Sequence, residues 1–389
     1  MQLLRCMMIG EDVSRHVGTL LAFVAFAVVG CRSEMDGYSP DLRYPLRSDS
    51  LVLTVPPSVP LSPASSGKLD ESIEMFSTLG GTLLRSNSLS TSQQQQLAHA
   101  LDERFGTPAA PLLNLSIPLS SIAGTSLSPA DLTSGSRLYR RSCVQCHGLS
   151  GDGRGPTGPW LYPHPRDFRP GVYKLAVGIG KPTVDSLKHV IRTGVPGTSM
   201  PVFDAVSPTD LDALVAYVVH LSVRGETESR VMQAMMSPES DDVDDIPSAV
   251  DAQSARIWQK WVAAQTPVDL NPSDDVSNIN VAESSRRGMT LFNGVAGCAS
   301  CHVNYGRQEQ FRYDVWGVAA RVPDLTRGEY RWGSTHDDHA RKIRHGIPGA
   351  GMPSNPGLTA EQVRDLVAFI RELPYPARLP DDVRASVYP

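Results

Sequence analysis

At 389 residues and 41% hydrophobic content, the chain is long enough for two or three modest domains. Its formal net charge is −5 with both signs dispersed, which leaves no basic footprint for nucleic acid. Six cysteines are too few for a chain of this length to be a disulfide-stapled scaffold.

The first stretch reads as an export signal. Arg5 and Arg15 precede an apolar run, Val17 to Val29, that is short for a bilayer span. The run ends Ala27-Val28-Val29-Gly30-Cys31, which resembles a bacterial lipobox, with Val28 where Leu is commoner. We therefore expect residues 1–31 to be a signal peptide with Cys31 as the lipidation site; an uncleaved anchor is the alternative. Residues 32–68, rich in Ser and Pro, read as a tether that cannot bury a core. Residues 69–129 form a helical region without an assignable role, with helices expected at Leu69–Leu84 and Thr91–Phe105, the latter capped by Ser92.

At Ser128-Pro129-Ala130-Asp131 a capped helix is expected to start and run into Cys143-Val144-Gln145-Cys146-His147. C-x-x-C-H is the attachment sequence of a c-type haem. Two thiols add to the haem vinyl groups and the adjacent histidine reaches iron from the proximal side. One such pentapeptide is also compatible with a zinc half-site or a redox dithiol. A second one, Cys298-Ala299-Ser300-Cys301-His302, makes two haems the better reading.

The similarity of the two halves extends well beyond the pentapeptides. Gly135, Leu138 and Tyr139 answer to Gly288, Leu291 and Phe292. Asp167-Phe168 and Tyr173-Lys174 answer to Asp324-Leu325 and Tyr330-Arg331, and Leu214–Val218 to Leu366–Ile370. A repeat of this period means two copies of one domain, 130–224 and 283–376. The repeat also selects the distal iron ligands, usually methionine or histidine. No histidine outside the pentapeptides is matched between the halves. Met200 and Met352 are, each in a Gly- and Pro-flanked loop that can run close over a haem face. A methionine is otherwise often core filler. The tyrosines Tyr173 and Tyr330, or Arg192 and Arg344, are candidates for the haem propionates.

Between the copies, residues 225–282 read as a linker with helices, including the acidic run Glu239–Asp245, most simply a solvated face, and Trp258 and Trp261, which could pack on either copy. The second copy differs by carrying Arg312-Tyr313-Asp314-Val315-Trp316 after its haem motif. Residues 377–389 are expected to be an irregular tail.

On these motifs each half resembles a class I cytochrome c domain: a helix into C-x-x-C-H, a loop with Met before Pro, and an amphipathic last helix. The Pro-Arg-Asp-Phe and Gly-x-x-Met-Pro segments are similar to cytochrome c subunits of bacterial respiratory chains. The resemblance covers a little under half the chain. It implies an all-α fold of two tandem domains and two covalently bound c-type haems at Cys143, Cys146, Cys298 and Cys301. Iron would be held by His147 with Met200 and by His302 with Met352.

The expected task is outer-sphere electron transfer between redox partner proteins of the respiratory chain, from a periplasmic face anchored to the membrane by the N-terminal lipid. No small-molecule substrate and no enzyme activity are expected. A di-haem peroxidase-like enzyme and a fixed subunit of a larger respiratory complex are the alternatives. With a long linker between the copies, a substitution at one distal ligand is expected to change the other haem little.

Overall fold

The computed structural model describes residues 37–54, 82–85, 89–116, 122, 125–174, 181–236, 245–265, 279–317, 319–331 and 333–389. The signal peptide, Cys31 and the acidic run lie outside the described residues, apart from Asp245. The fold is all-α, with two small antiparallel ribbons among the described residues. One ribbon pairs β1 (Ser50–Thr54) with β2 (Thr82–Arg85). The described end of the helix expected at Leu69–Leu84 is therefore extended.

Two units follow the repeat. In the first, α1 (Thr91–Phe105) starts at a capping box in which Ser90, not Ser92, accepts from the Gln93 amide. Helix α2 (Pro129–Ser142) begins at the Ser128 cap and ends at Cys143. Helix α3 (Val184–Thr193) leads to the first Met loop, and α4 (Pro208–Met236) closes the unit. Helix α5 (Ile246–Ala263) packs against α4 and α1. In the second unit the corresponding helices are α6 (Val281–Asn293), α7 (His336–His345) and α8 (Ala360–Glu372). A hairpin of β3 (Phe311–Tyr313) and β4 (Ala319–Arg321) lies between α6 and α7.

A glycine sets the main helix crossing in both units. Gly135 of α2 lies against the Ala213 carbonyl and the Tyr217 Cβ of α4; Gly288 of α6 lies against the Asp365 carbonyl and the Phe369 Cβ of α8. A side chain at either position would collide with backbone, so only glycine lets the helices approach this closely. Tyr139 and Tyr217 meet edge to face across the first crossing, their centroids 5.3 Å apart.

Helix α4 does not end near residue 224 but continues to Met236, and every residue from Ala213 to Ser229 is buried. A helix covered on all sides needs neighbours on all sides. These are α2, α1, α5, the 167–171 loop and the N-terminal segment. Tyr44 Oη lies 2.9 Å from Tyr217 Oη, and the Arg47 amide donates to Glu228 Oε1 at 2.5 Å. Residues 38–49 are thus part of the first unit rather than of a tether. Tyr44 and Arg47 supply groups worth burying that a Ser/Pro-rich composition conceals. The polar residues inside α4 are paired: Arg224 with Glu228 at 3.0 Å, and Glu226 with Lys181. Trp258 and Trp261 of α5 are buried in this same core.

The tail is helical, not irregular. Helix α9 (Asp381–Val387) buries Val383 and Val387 in the second core, and Arg286 of α6 pairs with its Asp382 at 2.8 Å. Apolar side chains four residues apart make it amphipathic despite the surrounding prolines. The two units also touch. Lys174 of the first pairs with Asp314 of the second at 2.8 Å, and Trp316 Nε1 donates to the Asp167 carbonyl at 3.1 Å. Among the described residues, no helix is long and apolar enough to cross a membrane.

Candidate haem sites

Each C-x-x-C-H folds into one tight turn. The His147 amide donates to the Cys143 carbonyl at 2.9 Å, and the His302 amide to the Cys298 carbonyl at the same distance. The turn places two cysteines and the following histidine on one side of the chain. All four thiols are free and partly buried. Burial pushes the Cys143 thiol up to about 12 and the Cys298 thiol to about 11.

The histidines are oriented by carbonyls that sequence reasoning did not single out. His147 Nδ1 lies 3.1 Å from the Arg166 carbonyl, and His302 Nδ1 lies 3.3 Å from the Pro323 carbonyl. A carbonyl only accepts, so each Nδ1 carries the proton and each Nε2 keeps its lone pair for a metal. Burial holds both imidazoles below their ordinary value, in the neutral form that ligation needs. The next residue explains how each carbonyl is aimed. Asp167 Oδ1 accepts from the Arg169 amide and Asp324 Oδ1 from the Thr326 amide, both at 2.9 Å. The aspartate closes a turn on its own backbone. The repeat contained this signal, because Asp167 and Asp324 are matched and the accepting carbonyl precedes each. Phe168 stacks on the His147 ring at 4.9 Å.

The two Met loops are built alike. Thr183 caps α3 and Thr335 caps α7. Both helices stop at a left-handed glycine, Gly194 (φ 65°) and Gly346 (φ 69°). A Cβ on Gly194 would meet the Met200 carbonyl at 2.7 Å; one on Gly346 would meet the Met352 carbonyl at 2.5 Å. The loop then closes on itself, with the Val195 amide 3.4 Å from the Met200 carbonyl and the Ile347 amide 3.0 Å from the Met352 carbonyl. Both methionines are half-buried at the tips of these loops. The matched tyrosines differ. Tyr330 donates to the Leu325 and Ile370 carbonyls, whereas Tyr173 is buried beside Phe168 and Trp261.

Among the described residues, no group of three His, Cys, Asp or Glu side chains converges as a zinc site requires. Free thiols paired with an imidazole whose Nε2 is left open fit a covalent haem.

Residues 130–218 match the family model of cytochrome c oxidase, cbb3-type, subunit III, and residues 285–374 match that of cytochrome c. Among solved structures, the chain is similar to one from the Kuenenia stuttgartiensis reducing HAO-like protein complex. The identity is 20%, covering 65% of this chain and 99% of that one, at a TM-score of 0.45. No curated protein matches it. The chain therefore carries two cytochrome c domains, and with them two covalently bound c-type haems.

Proposed function

We propose that this di-haem c-type cytochrome is an electron carrier between respiratory-chain proteins, with His147 and Met200 at one iron and His302 and Met352 at the other. The observation that carries this reading is the matched pair of Met loops, built on the same capped helix, left-handed glycine and backbone closure. With a histidine and a methionine side chain held for each iron, neither site would keep a position for substrate, and the chemistry it would support is outer-sphere transfer. A haem bound at each site would supply a one-electron couple, at a higher potential with a histidine and a methionine than with two histidines. Cys143 and Cys146, and Cys298 and Cys301, would hold one haem each through thioether links formed by addition of their thiols to the vinyl groups. The Arg166 and Pro323 carbonyls fix the tautomer and ring plane of each histidine. The glycine-pinned loops would present the methionines.

The test is the weak far-red charge-transfer band of ferric iron bound to a thioether. Met200→His and Met352→His should each remove about half of that band and lower one potential, since imidazole favours ferric iron more than thioether does. A wild-type protein with one high-spin iron, or one that reduces hydrogen peroxide rapidly, would replace this reading with a di-haem enzyme. The N-terminal pattern supports a lipid on Cys31 and a position at the periplasmic face of a membrane. Cys31→Ser should then release the protein to the soluble fraction or leave an unprocessed precursor. Unchanged partitioning and migration would end that part.

A further inference from the structure

Among the described residues the hairpin β3–β4 has no paired-strand counterpart in the first unit, where the matching stretch between the haem motif and Asp167 runs from about 155 to 164. Its base and its tip each lie against a proximal histidine's support. At the base, the Val322 amide donates to the Gln310 carbonyl at 2.9 Å, and the next residue, Pro323, holds His302 Nδ1. At the tip, Trp316 leaves its own unit. Its Nε1 donates to the Asp167 carbonyl at 3.1 Å, one residue beyond the Arg166 carbonyl that holds His147. The Arg166 guanidinium lies over the indole at 3.6 Å. Lys174 and Asp314, side chains 12% and 3% exposed, clamp the contact at 2.8 Å. The Trp316 amide also donates to Asp314 Oδ1 at 3.0 Å, fixing the turn that presents the indole. The same first-unit segment faces the second Met loop: a Cβ on Gly349 would meet the Tyr173 carbonyl and the Lys174 amide within 3.1 Å.

From these contacts we infer that the hairpin is an internal strap between the two haem sites, and that Trp316 is the positioning residue for electron exchange between them. It acts through Asp167 and Arg166 on the proximal side of His147. A stacked indole and guanidinium with a hydrogen bond to the neighbouring carbonyl give a packed connection from one proximal support to the other. The exchange is balanced in itself: one electron leaves a ferrous iron and one ferric iron gains it, with no bond broken. This inference rests on the carrier reading above and assigns the chain an internal partner, its own second unit.

The experiment is flash photoreduction of the full-length, two-haem protein with less than one electron per chain. Exchange between the haems is the phase whose rate does not depend on protein concentration. Trp316→Leu should slow that phase at least about tenfold, the lower end of what loss of an outer-shell partner costs. Both far-red bands should remain. Hydrogen exchange of the 166–174 amides should quicken, a readout independent of electron flow. Trp316→Phe keeps a ring over Arg166 and deletes only the indole donor; it should slow the phase by an intermediate factor without loosening the second unit. A wild-type rate in both variants would overturn the inference, as would wild-type protein whose redistribution depends wholly on concentration. Failure of the carrier reading is separate, seen as an open iron or rapid peroxide turnover in the unaltered protein.

Discussion

The two units hold their haem sites with the same parts but are stabilised in different ways. The first surrounds α4 on every side, recruiting residues 38–49, α1 and α5, and buries charged pairs inside the helix contact. The second buries a much shorter stretch of α8, Asp365–Ile370, against α6 and α7, with the short α9 packed on α6. Its matching charge contact, Arg287 to Asp365 at 2.7 Å, has an arginine side chain 51% exposed. What the copies share is thus the glycine-set helix crossing and the parts that would hold the haem; the scaffolding around these has diverged.

The sharpest way to break this comparison is to remove one acid from each unit. Glu228→Ala should destabilise the first unit by about 3–5 kcal/mol, because it strands the buried Arg224 and removes the acceptor of the Arg47 amide. Asp365→Ala should cost about 1 kcal/mol, since Arg287 turns to water. Chemical unfolding followed by circular dichroism measures both. Equal losses would mean that the first core is not the more tightly coupled one.

A smaller effect comes from acid. Burial holds His220 in the first core and His339 on α7 down to about 4. An unfolded chain protonates histidine near its ordinary value of about 6.5. Between these values the unfolded state binds more protons, so stability is full above the upper one and falls as pH drops toward the lower. The loss is at most about 1.4 kcal/mol per pH unit for each histidine. In the first unit Leu187 occupies the position matching His339, so His339→Leu should flatten the second unit's acid response and leave the first unit's intact. Urea unfolding at pH 7 and pH 5 distinguishes the two.

Much of the haem machinery was legible because chemistry fixes residue types at fixed spacings. The pentapeptides, the Met loops and the crossing glycines could be read from one copy against the other, and the Ser128 cap from the residues beside it. The scaffold was less legible for particular reasons. The polar residues Arg224, Glu226 and Glu228 look like a solvated helix end until their partners Lys181 and Arg47 arrive from distant parts of the chain. The proximal carbonyls of Arg166 and Pro323 are backbone groups, signalled only indirectly by the matched Asp167 and Asp324 that follow them. Trp316 was visible as a difference between the copies, but its partner is a carbonyl in the other unit.

The unbroken run of α4 through residue 224 has a practical consequence for dissecting the chain. Separating the units at the end of the repeated sequence would sever a helix in the middle of its buried stretch, opening Arg224, Glu228 and the Lys181 contact to solvent at the cut. An independent first unit would have to reach back to the segment containing Tyr44 and Arg47 and forward through α5 to about Gln265, whose side chain accepts from the Val184 amide at the start of α3. The smallest self-sufficient piece is therefore far larger than the stretch that recurs. A fragment trimmed to the recurring residues would take up a haem poorly, because its last helix would be left with too little to lean on.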